Sequence, residues 1–278
     1  MALPSLVRRL ALGTTLAATA LAGASPADAG ESVNILVLRE NGVGTAAQAQ
    51  PYVDSLVAHV GRINKWAAAS GKYVTTRTAA ESYMHESFPH YGFMSLGAFL
   101  GLRGRHQLEV IGSIEVAQAG GREYHVVSVK QSGVDGCKGK SLATDHGSDT
   151  RFVDNVVAGG AFKLADFTLV STRRPIQTLK SVINGEAECA LIDDAQLAAL
   201  SGVEGGGAVK SVWKSKTLPP MVAVAFPTAP ADERKAFVGS LSKICAGEGA
   251  ASCKEVGIAS LKAASESDYR EVITAYGK

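Results

Sequence analysis

The chain has 278 residues, of which 46% are apolar, 19% charged and 6% aromatic, so it is not a disordered chain and is long enough for two lobes. Lysine and arginine total 28 against 26 aspartates and glutamates, a formal net charge of +2. Because no segment is dense in Lys and Arg, a nucleic-acid partner is not expected, and the few aromatic residues argue against a stacking site for bases or sugars.

The first thirty residues have the pattern of a secretory signal peptide. Arg8 and Arg9 precede an uncharged, mostly apolar run at 10–24, and the small-residue motif Ala-Asp-Ala follows at 27–29. That order predicts a signal peptide over 1–29, cleaved after about Ala29. The apolar run is too short to span a bilayer, and no later segment reaches the length of a spanning helix.

Position 24 is an alanine where a lipoprotein signal ends in cysteine, so no lipid anchor is expected. Removal of 1–29 from the 278 residues leaves about 249, with 26 basic and 25 acidic residues and a charge of +1. We therefore expect a periplasmic protein that is monomeric and free of the membrane.

The mature chain begins with an α/β unit. Its predicted elements are strand 33–38, a helix opened by Pro51, strand 72–76, helix 81–86, strand 91–94 and a helix from about Gly97. Segments 108–117 and 123–129 alternate around Gly120-Gly121, which predicts a β-hairpin that closes this unit.

A glycine-rich break at 131–139 leads into a second α/β unit. Its predicted elements are strand 141–143, helix 149–157, strand 167–170, helix 175–183, strand 189–192, helix 194–200 and strand 209–213. After a second break at Leu218-Pro219-Pro220, strand 221–226 and helices 232–244 and 267–276 return to the first unit.

This alternation predicts an α/β fold of two lobes, each a mainly parallel sheet flanked by helices. The first lobe is expected over 30–130, completed by 221–278, and the second over 131–220. A ligand cleft is expected between the lobes, at the carboxyl ends of the strands, and hinge closure is the expected motion.

The four cysteines predict two disulfides, because an even count is typical of exported proteins. Cys245 and Cys253 enclose a short loop of small residues, which favours pairing them and leaves Cys137 with Cys189, although the sequence alone allows three pairings. No C-x-x-C motif is present and no histidine lies close to a cysteine, so a metal site is not expected.

Three segments resemble the phosphate/phosphite/phosphonate-binding family of type II periplasmic solute-binding proteins, which serve ABC importers. They are the strand and helix start at 91–100 (YGFMSLGAFL), the entry to the second lobe at 139–143 (GKSLA) and the helix–turn–strand at 179–194 (LKSVINGEAECALIDD). The resemblance implies a two-lobed receptor that binds a small anionic solute without catalysis or a cofactor and passes it to an inner-membrane ABC permease.

The family's oxyanion loop is rich in Ser and Thr, whereas residues 145–151 read DHGSDTR. The hydroxyls of Ser148 and Thr150 and the amides of a helix N-terminus suit an anion, and His146 lies in the same loop. Asp145 and Asp149 would repel an anion unless Arg151 or a cationic part of the ligand balances them. Alternatively, Ser148 or Asp149 only caps the helix.

Other candidate ligand-binding residues follow the ends of strands. Arg39, Glu40 and Asn41 follow the first strand, Ser95 the third, Arg173 and Arg174 the strand at 167–170, and Asp193 ends the strand at 189–192. The arginine pair could hold a phosphate or carboxylate, and either Asp193 or Asp194 is expected to cap the next helix.

Leu96 replaces the family's proline and Phe99 its tyrosine, which makes the first-lobe side of the cleft more apolar. Together with Phe93 they keep a second hypothesis open, in which the same fold binds an apolar or amphiphilic ligand such as a lipid. A role as a sensor or binding module outside transport also stays open. No nucleophile, dinucleotide or metal-binding constellation emerges, so the protein is not expected to be an enzyme.

Overall fold

The computed structural model describes residues 32–40, 45–117 and 120–278. The predicted signal peptide and Asn41 lie outside these residues. The strands are β1 Ser32–Leu38, β2 Ala68–Val74, β3 Tyr91–Met94, β4 Glu109–Val116, β5 Tyr124–Ser128, β6 Ser141–Thr144, β7 Thr168–Ser171, β8 Cys189–Asp193, β9 Lys210–Lys214, β10 Met221–Ala225 and β11 Ile258–Ala263.

The α-helices are α1 Ala46–Asn64, α2 Arg77–Ser87, α3 Leu96–His106, α4 Val134–Cys137, α5 Pro175–Ile183, α6 Asp194–Ala199, α7 Ala231–Ile244, α8 Gly249–Glu255 and α9 Arg270–Tyr276. Residues Phe152–Val157 form a π-helical segment, called the π segment below, where a longer α-helix is predicted. In the described part of the chain, no helix has the length and apolarity to cross a membrane.

The strands form two separate sheets with helices packed against them, and each sheet with its helices is one lobe. The first lobe holds the order β11-β4-β10-β3-β1-β2, and the second holds β7-β6-β8-β5-β9. In the first sheet β10 runs antiparallel to both of its neighbours, β3 and β4. The two-lobed α/β prediction is confirmed, although both sheets are mixed.

The predicted hairpin between 108–117 and 123–129 is wrong. β4 pairs with β10 and β11 in the first sheet, while β5 pairs with β8 and β9 in the second. The chain between them is therefore the first crossing between the lobes, and the chain between β9 and β10 is the second. An alternating sequence pattern does not distinguish a hairpin from a crossing, because it carries no information on which strands pair.

Helix α1 starts five residues before the predicted start at Pro51. Thr45 accepts a hydrogen bond from the backbone of Gln48, and the Gln48 side chain accepts one from the backbone of Thr45. This capping box fixes the helix start, and Pro51 is accommodated in the second turn. At the other end of the chain, α9 packs on the π segment of the second lobe rather than on the first sheet.

Each lobe contains one disulfide. Cys137 pairs with Cys189 in the second lobe, with Cα atoms 6.0 Å apart, and Cys245 pairs with Cys253 beside the first sheet, with Cα atoms 5.5 Å apart. The favoured pairing from the sequence is confirmed.

The chain has two tryptophans, one in each lobe. Trp66 stacks on Tyr91 of β3 with ring centroids 5.7 Å apart. Trp213 of β9 lies edge-on to Phe162 at 4.9 Å, directly before the second crossing.

Candidate functional site

A cleft of about 590 Å³ lies between the lobes. On the first-lobe side it is lined by the carboxyl ends of β1 and β3 and the start of α3, and on the second-lobe side by the segments that follow β6 and β8. Eight of the predicted site residues line it: Arg39, Glu40, Ser95, Leu96, His146, Ser148, Asp149 and Asp193.

Four predicted residues do not line the cleft. Phe99 is fully buried behind it, 6.0 Å from the ring of Tyr269, because it lies one turn into α3 on the core side. Thr150 is exposed beyond the cleft. Arg173 and Arg174 are exposed after β7, which is an edge strand, whereas β6 and β8 inside the sheet reach the cleft.

The first-lobe wall is the start of α3 together with Arg39. Ser95 is the N-cap residue of α3, and within the described residues its side chain makes no cap hydrogen bond. Its hydroxyl instead lies 3.4 Å from the backbone nitrogen of Glu40 and accepts from it. The first-turn amides of an eleven-residue helix therefore have no side-chain cap where the helix meets the cleft.

Arg77, at the start of α2, connects the two lobes. It donates to both carboxylate oxygens of Glu40, from Nε at 2.7 Å and Nη2 at 3.0 Å, and its Nη1 is 2.7 Å from Asp149 Oδ2 across the cleft. Burial alone would lower the pKa of Arg77, but the hydrogen bonds and charges of Glu40 and Asp149 outweigh it and raise the pKa. Arg77 is thus a fixed cation and its charge is matched by carboxylates.

Arg77 is not among the site residues predicted from the sequence. It directly follows the predicted strand 72–76, as Arg39 follows the predicted strand 33–38, so its position after a strand was the available signal. In the structure β2 ends at Val74 and Arg77 begins α2.

The second-lobe wall is the loop 145–149, in which the Asp149 carboxylate accepts the hydrogen bonds of the neighbouring donors. Asp149 Oδ1 accepts the backbone N–H of Phe152 at 2.9 Å, so Asp149 caps the π segment. Oδ2 accepts from the Tyr276 hydroxyl at 3.1 Å and pairs with Arg77. Arg151, the expected counter-charge, lies over the Tyr276 ring at 5.4 Å instead. The capping alternative holds for Asp149.

A buried polar network supports this wall. Gln196 Nε2 donates to Asp145 Oδ1 at 3.0 Å, and Gln196 Oε1 lies 3.1 Å from His146 Nε2. Asp145 Oδ1 also accepts from Thr178 at 3.0 Å, while its Oδ2 is buried without a hydrogen-bond partner among the described residues.

Asp193 belongs to the same network. Its carboxylate caps α6 by accepting the backbone N–H of Gln196 at 2.9 Å, which is the capping role expected of Asp193 or Asp194. Burial raises the pKa of Asp193. Tyr124 lies edge-on to His146, with ring centroids 5.1 Å apart, and burial and the neighbouring carboxylates raise its pKa.

The charges that line the cleft balance in number. The cations are Arg39, Arg77, Arg122 and Lys254, and the anions are Glu40, Asp149, Asp193 and Glu255. Arg77 and Arg122 are paired with carboxylates, whereas Arg39 and Lys254 form no ion pair within the described residues. Glu255, on the same side, also forms no ion pair among those residues, so the first-lobe side carries one net unpaired positive charge. Among the described residues, no cluster of His, Cys, Asp and Glu fits a metal ion.

Several solved structures resemble the whole molecule at low sequence identity. The binding-protein component of a phosphonate ABC transporter from Pseudomonas aeruginosa matches with a TM-score of 0.64 and 10% identity, covering 86% of this chain and 83% of that one. PhnD1 from Prochlorococcus marinus in complex with methylphosphonate matches with a TM-score of 0.65 and 8% identity, covering 88% and 96%. The chain has the periplasmic-binding-protein fold.

The periplasmic aliphatic sulphonate binding protein SsuA from Escherichia coli is also similar, with a TM-score of 0.53 and 13% identity over 88% of this chain and 78% of that one. No family model matches the sequence, and no curated protein matches it. In a periplasmic-binding-protein fold, the two crossings between the lobes are the natural hinge for opening and closing the cleft.

Proposed function

We propose that this protein is a periplasmic receptor that captures a small oxyanion, phosphonate- or sulfonate-like, between its lobes and delivers it to an inner-membrane ABC permease. The observation that carries the proposal is the first-lobe wall, where the uncapped start of α3, the Ser95 hydroxyl and the unpaired Arg39 line one cleft. Helix N-terminal amides and an arginine are the groups that bind tetrahedral oxyanions in proteins.

The likeness to phosphonate- and sulfonate-binding proteins supports the same ligand chemistry. The signal-peptide pattern supports export, and the role with a permease follows from the fold by analogy. The working unit is proposed to be a monomer whose two lobes close on the ligand. The lobe bounds predicted from the sequence are 30–130 with 221–278 and 131–220. Because β5 belongs to the second sheet, we move the first boundary from 130 to near 117–123.

In the proposed site, the two lobes do not contribute equally to binding the anion. Asp149 takes the hydrogen-bond donors of the second-lobe wall, namely the Phe152 amide and Tyr276, and it also pairs with Arg77 of the first lobe. The oxyanion is therefore held mainly by the first lobe, and the Arg77–Asp149 pair draws the second lobe over it. Leu96 and His146 would then contact the ligand but would not neutralise its charge.

Calorimetric titration of the mature protein with methylphosphonate and methanesulfonate tests the proposal. Ser95→Ala and Arg39→Ala should each weaken binding about tenfold or more, since a hydrogen bond to a charged group contributes about 1.5–3 kcal/mol. Arg173→Ala, which changes an exposed arginine outside the cleft, is the control and should bind like the wild type. If neither anion binds while lipid vesicles or detergents raise the melting temperature, the receptor binds an apolar ligand instead.

A further inference from the structure

A second, smaller cavity of about 230 Å³ adjoins the cleft in the first lobe. It lies between α1 and the carboxyl end of the first sheet, and most of its lining side chains are apolar. Val37, Val53, Leu56, Phe93 and Ile258 are all buried among them. We call it the apolar pocket.

The apolar pocket and the cleft are next to each other. Arg39, Val116, Met221, Glu255 and Val256 line both. Phe93 of the pocket lies two residues before Ser95 of the first-lobe wall. Alternate residues of an extended strand point to the same side, about 6–7 Å apart. The intervening Met94 points to the other side and is buried in a different core cluster. A ligand of modest length can therefore reach both spaces.

Besides the hydroxyls of Tyr52 and Tyr73, few polar side chains line the pocket. Thr45 and Gln48 bond to each other in the capping box of α1. The described residues leave Arg39 and Glu255, at the side shared with the cleft, as its charged groups. An apolar cavity of about 150 Å³ holds a benzene molecule, so this pocket has room for about six to eight carbon atoms.

We propose that the apolar pocket is a subsite for the organic substituent of the ligand, so that the preferred solute is a phosphonate or sulfonate with an unbranched alkyl or single-ring aryl group of about six to eight carbons. The acid group binds at the start of α3, and the carbon chain passes Arg39 into the pocket. This inference rests on the proposed function, because it assumes that the first-lobe wall holds the oxyanion.

Titration of the wild-type protein with methyl-, butyl-, hexyl- and phenylphosphonate tests the subsite without any substitution. Burial of each methylene should tighten binding about fourfold, so hexylphosphonate, with five more methylenes, should bind on the order of a thousandfold more tightly than methylphosphonate. 1-Hexanol, which lacks the acid group, should bind far more weakly than hexylphosphonate.

Substitutions within α1 provide the matched comparison. Ala49 lines the pocket and Ala47, two residues earlier, is exposed and does not. Ala49→Phe should remove the gain with chain length and leave the affinity for methylphosphonate unchanged, whereas Ala47→Phe should change neither. Ala49→Leu fills less of the pocket, and it should reduce the gain with chain length and leave methylphosphonate affinity unchanged if Ala49→Phe folds poorly.

The two proposals fail in different ways. Equal affinities for methyl- and hexylphosphonate in the wild type would overturn the subsite and leave the oxyanion receptor standing. Retention of the chain-length gain in both pocket-filling variants would also overturn it, because the chain would then bind elsewhere. If no phosphonate or sulfonate binds at all, the proposed function fails, and the subsite fails with it.

Discussion

Each wall of the cleft contains the start of a helix, but only one of the two helix starts is capped by a side chain. In the first lobe, α3 begins at Ser95 with no side-chain cap, and its first amides meet the cleft. In the second lobe, the Asp149 carboxylate accepts the backbone N–H of Phe152, the first residue of the π segment, and so caps it. One helix start is open to a ligand and the other already holds an anion that belongs to the protein.

Under the proposed function, this difference would let the two lobes close on a ligand of low charge. A carboxylate at the second helix start satisfies the local donors, and through its ion pair with Arg77 it also links the second lobe to the first. The partly buried pair would favour closure and remove one anion subsite. The ligand would then need only one acid group, at the first-lobe wall.

The largest expected effect is the loss of stability on removing a disulfide, and it should differ between the two lobes because their disulfides close loops of different length. In the chain-entropy model, Cys137→Ser with Cys189→Ser, which opens a loop of 52 residues, should lower the free energy of unfolding by about 4 kcal/mol. Cys245→Ser with Cys253→Ser, which opens a loop of 8 residues, should lower it by about 2.5 kcal/mol. Urea denaturation of both variants measures the difference. Equal losses would contradict the loop-length basis of this comparison.

Asp149→Ala should make the two walls alike. The substitution leaves the Phe152 amide, Tyr276 and Arg77 without their acceptor, so the free energy of unfolding should fall by about 2–4 kcal/mol. Inorganic phosphate should then raise the melting temperature of Asp149→Ala more than that of the wild type, because the second helix start is open.

Asp135→Ala is the control for Asp149→Ala. Asp135 is an exposed aspartate of the second lobe that pairs with Lys138, and its loss should change stability by less than about 1 kcal/mol. If phosphate stabilises Asp149→Ala and the wild type equally, Asp149 is not acting in place of an anion.

The smallest expected effect is a pH dependence that arises in the second lobe. His125 is buried in β5, and burial together with the charge of Lys214 lowers its pKa below the ordinary value of 6.5. As the pH falls through 6.5, the unfolded chain takes up a proton before the folded chain does, so the free energy of unfolding decreases. His125→Gln should therefore lose less stability than the wild type between pH 7.5 and pH 5.5.

His85→Gln, at an exposed position of the first lobe, serves as the control in the same urea titrations. If His125→Gln and the wild type lose stability in parallel as the pH falls, the acid sensitivity has another origin.

The positions of most strands could be predicted because the inner strands of each sheet are short apolar runs. β1 and β8 are buried along most of their length, and this pattern is visible in the sequence. β11 was missed, since its residues Ile258–Ala263 are mostly small and alternate weakly. Pairing partners are set by contacts far apart in the chain, so the crossing from β4 to β5 could not be distinguished from a hairpin.

The rule that ligands bind at strand carboxyl ends found Arg39, Ser95 and Asp193, but it could not rank them. It selected Arg173 and Arg174 because the sequence does not show that β7 is an edge strand. It could not show that Asp149 would meet Arg77, since that pair joins residues 72 positions apart in different lobes. The alternation of strand and helix patterns predicted the fold class, whereas the site depends on contacts between residues far apart in the chain.

The placement of the tryptophans gives the molecule its own optical reporter. Trp213 lies directly before the second crossing, so closure of the lobes under the proposed function would alter the surroundings of its indole. Trp66 is partly buried in the first lobe, where it packs against Tyr91 and Phe237. In the variant Trp66→Phe, Trp213 is the remaining indole, and its emission can follow ligand-induced closure in real time without a dye. The kinetics of capture thus become accessible to stopped-flow fluorescence before the physiological solute is identified.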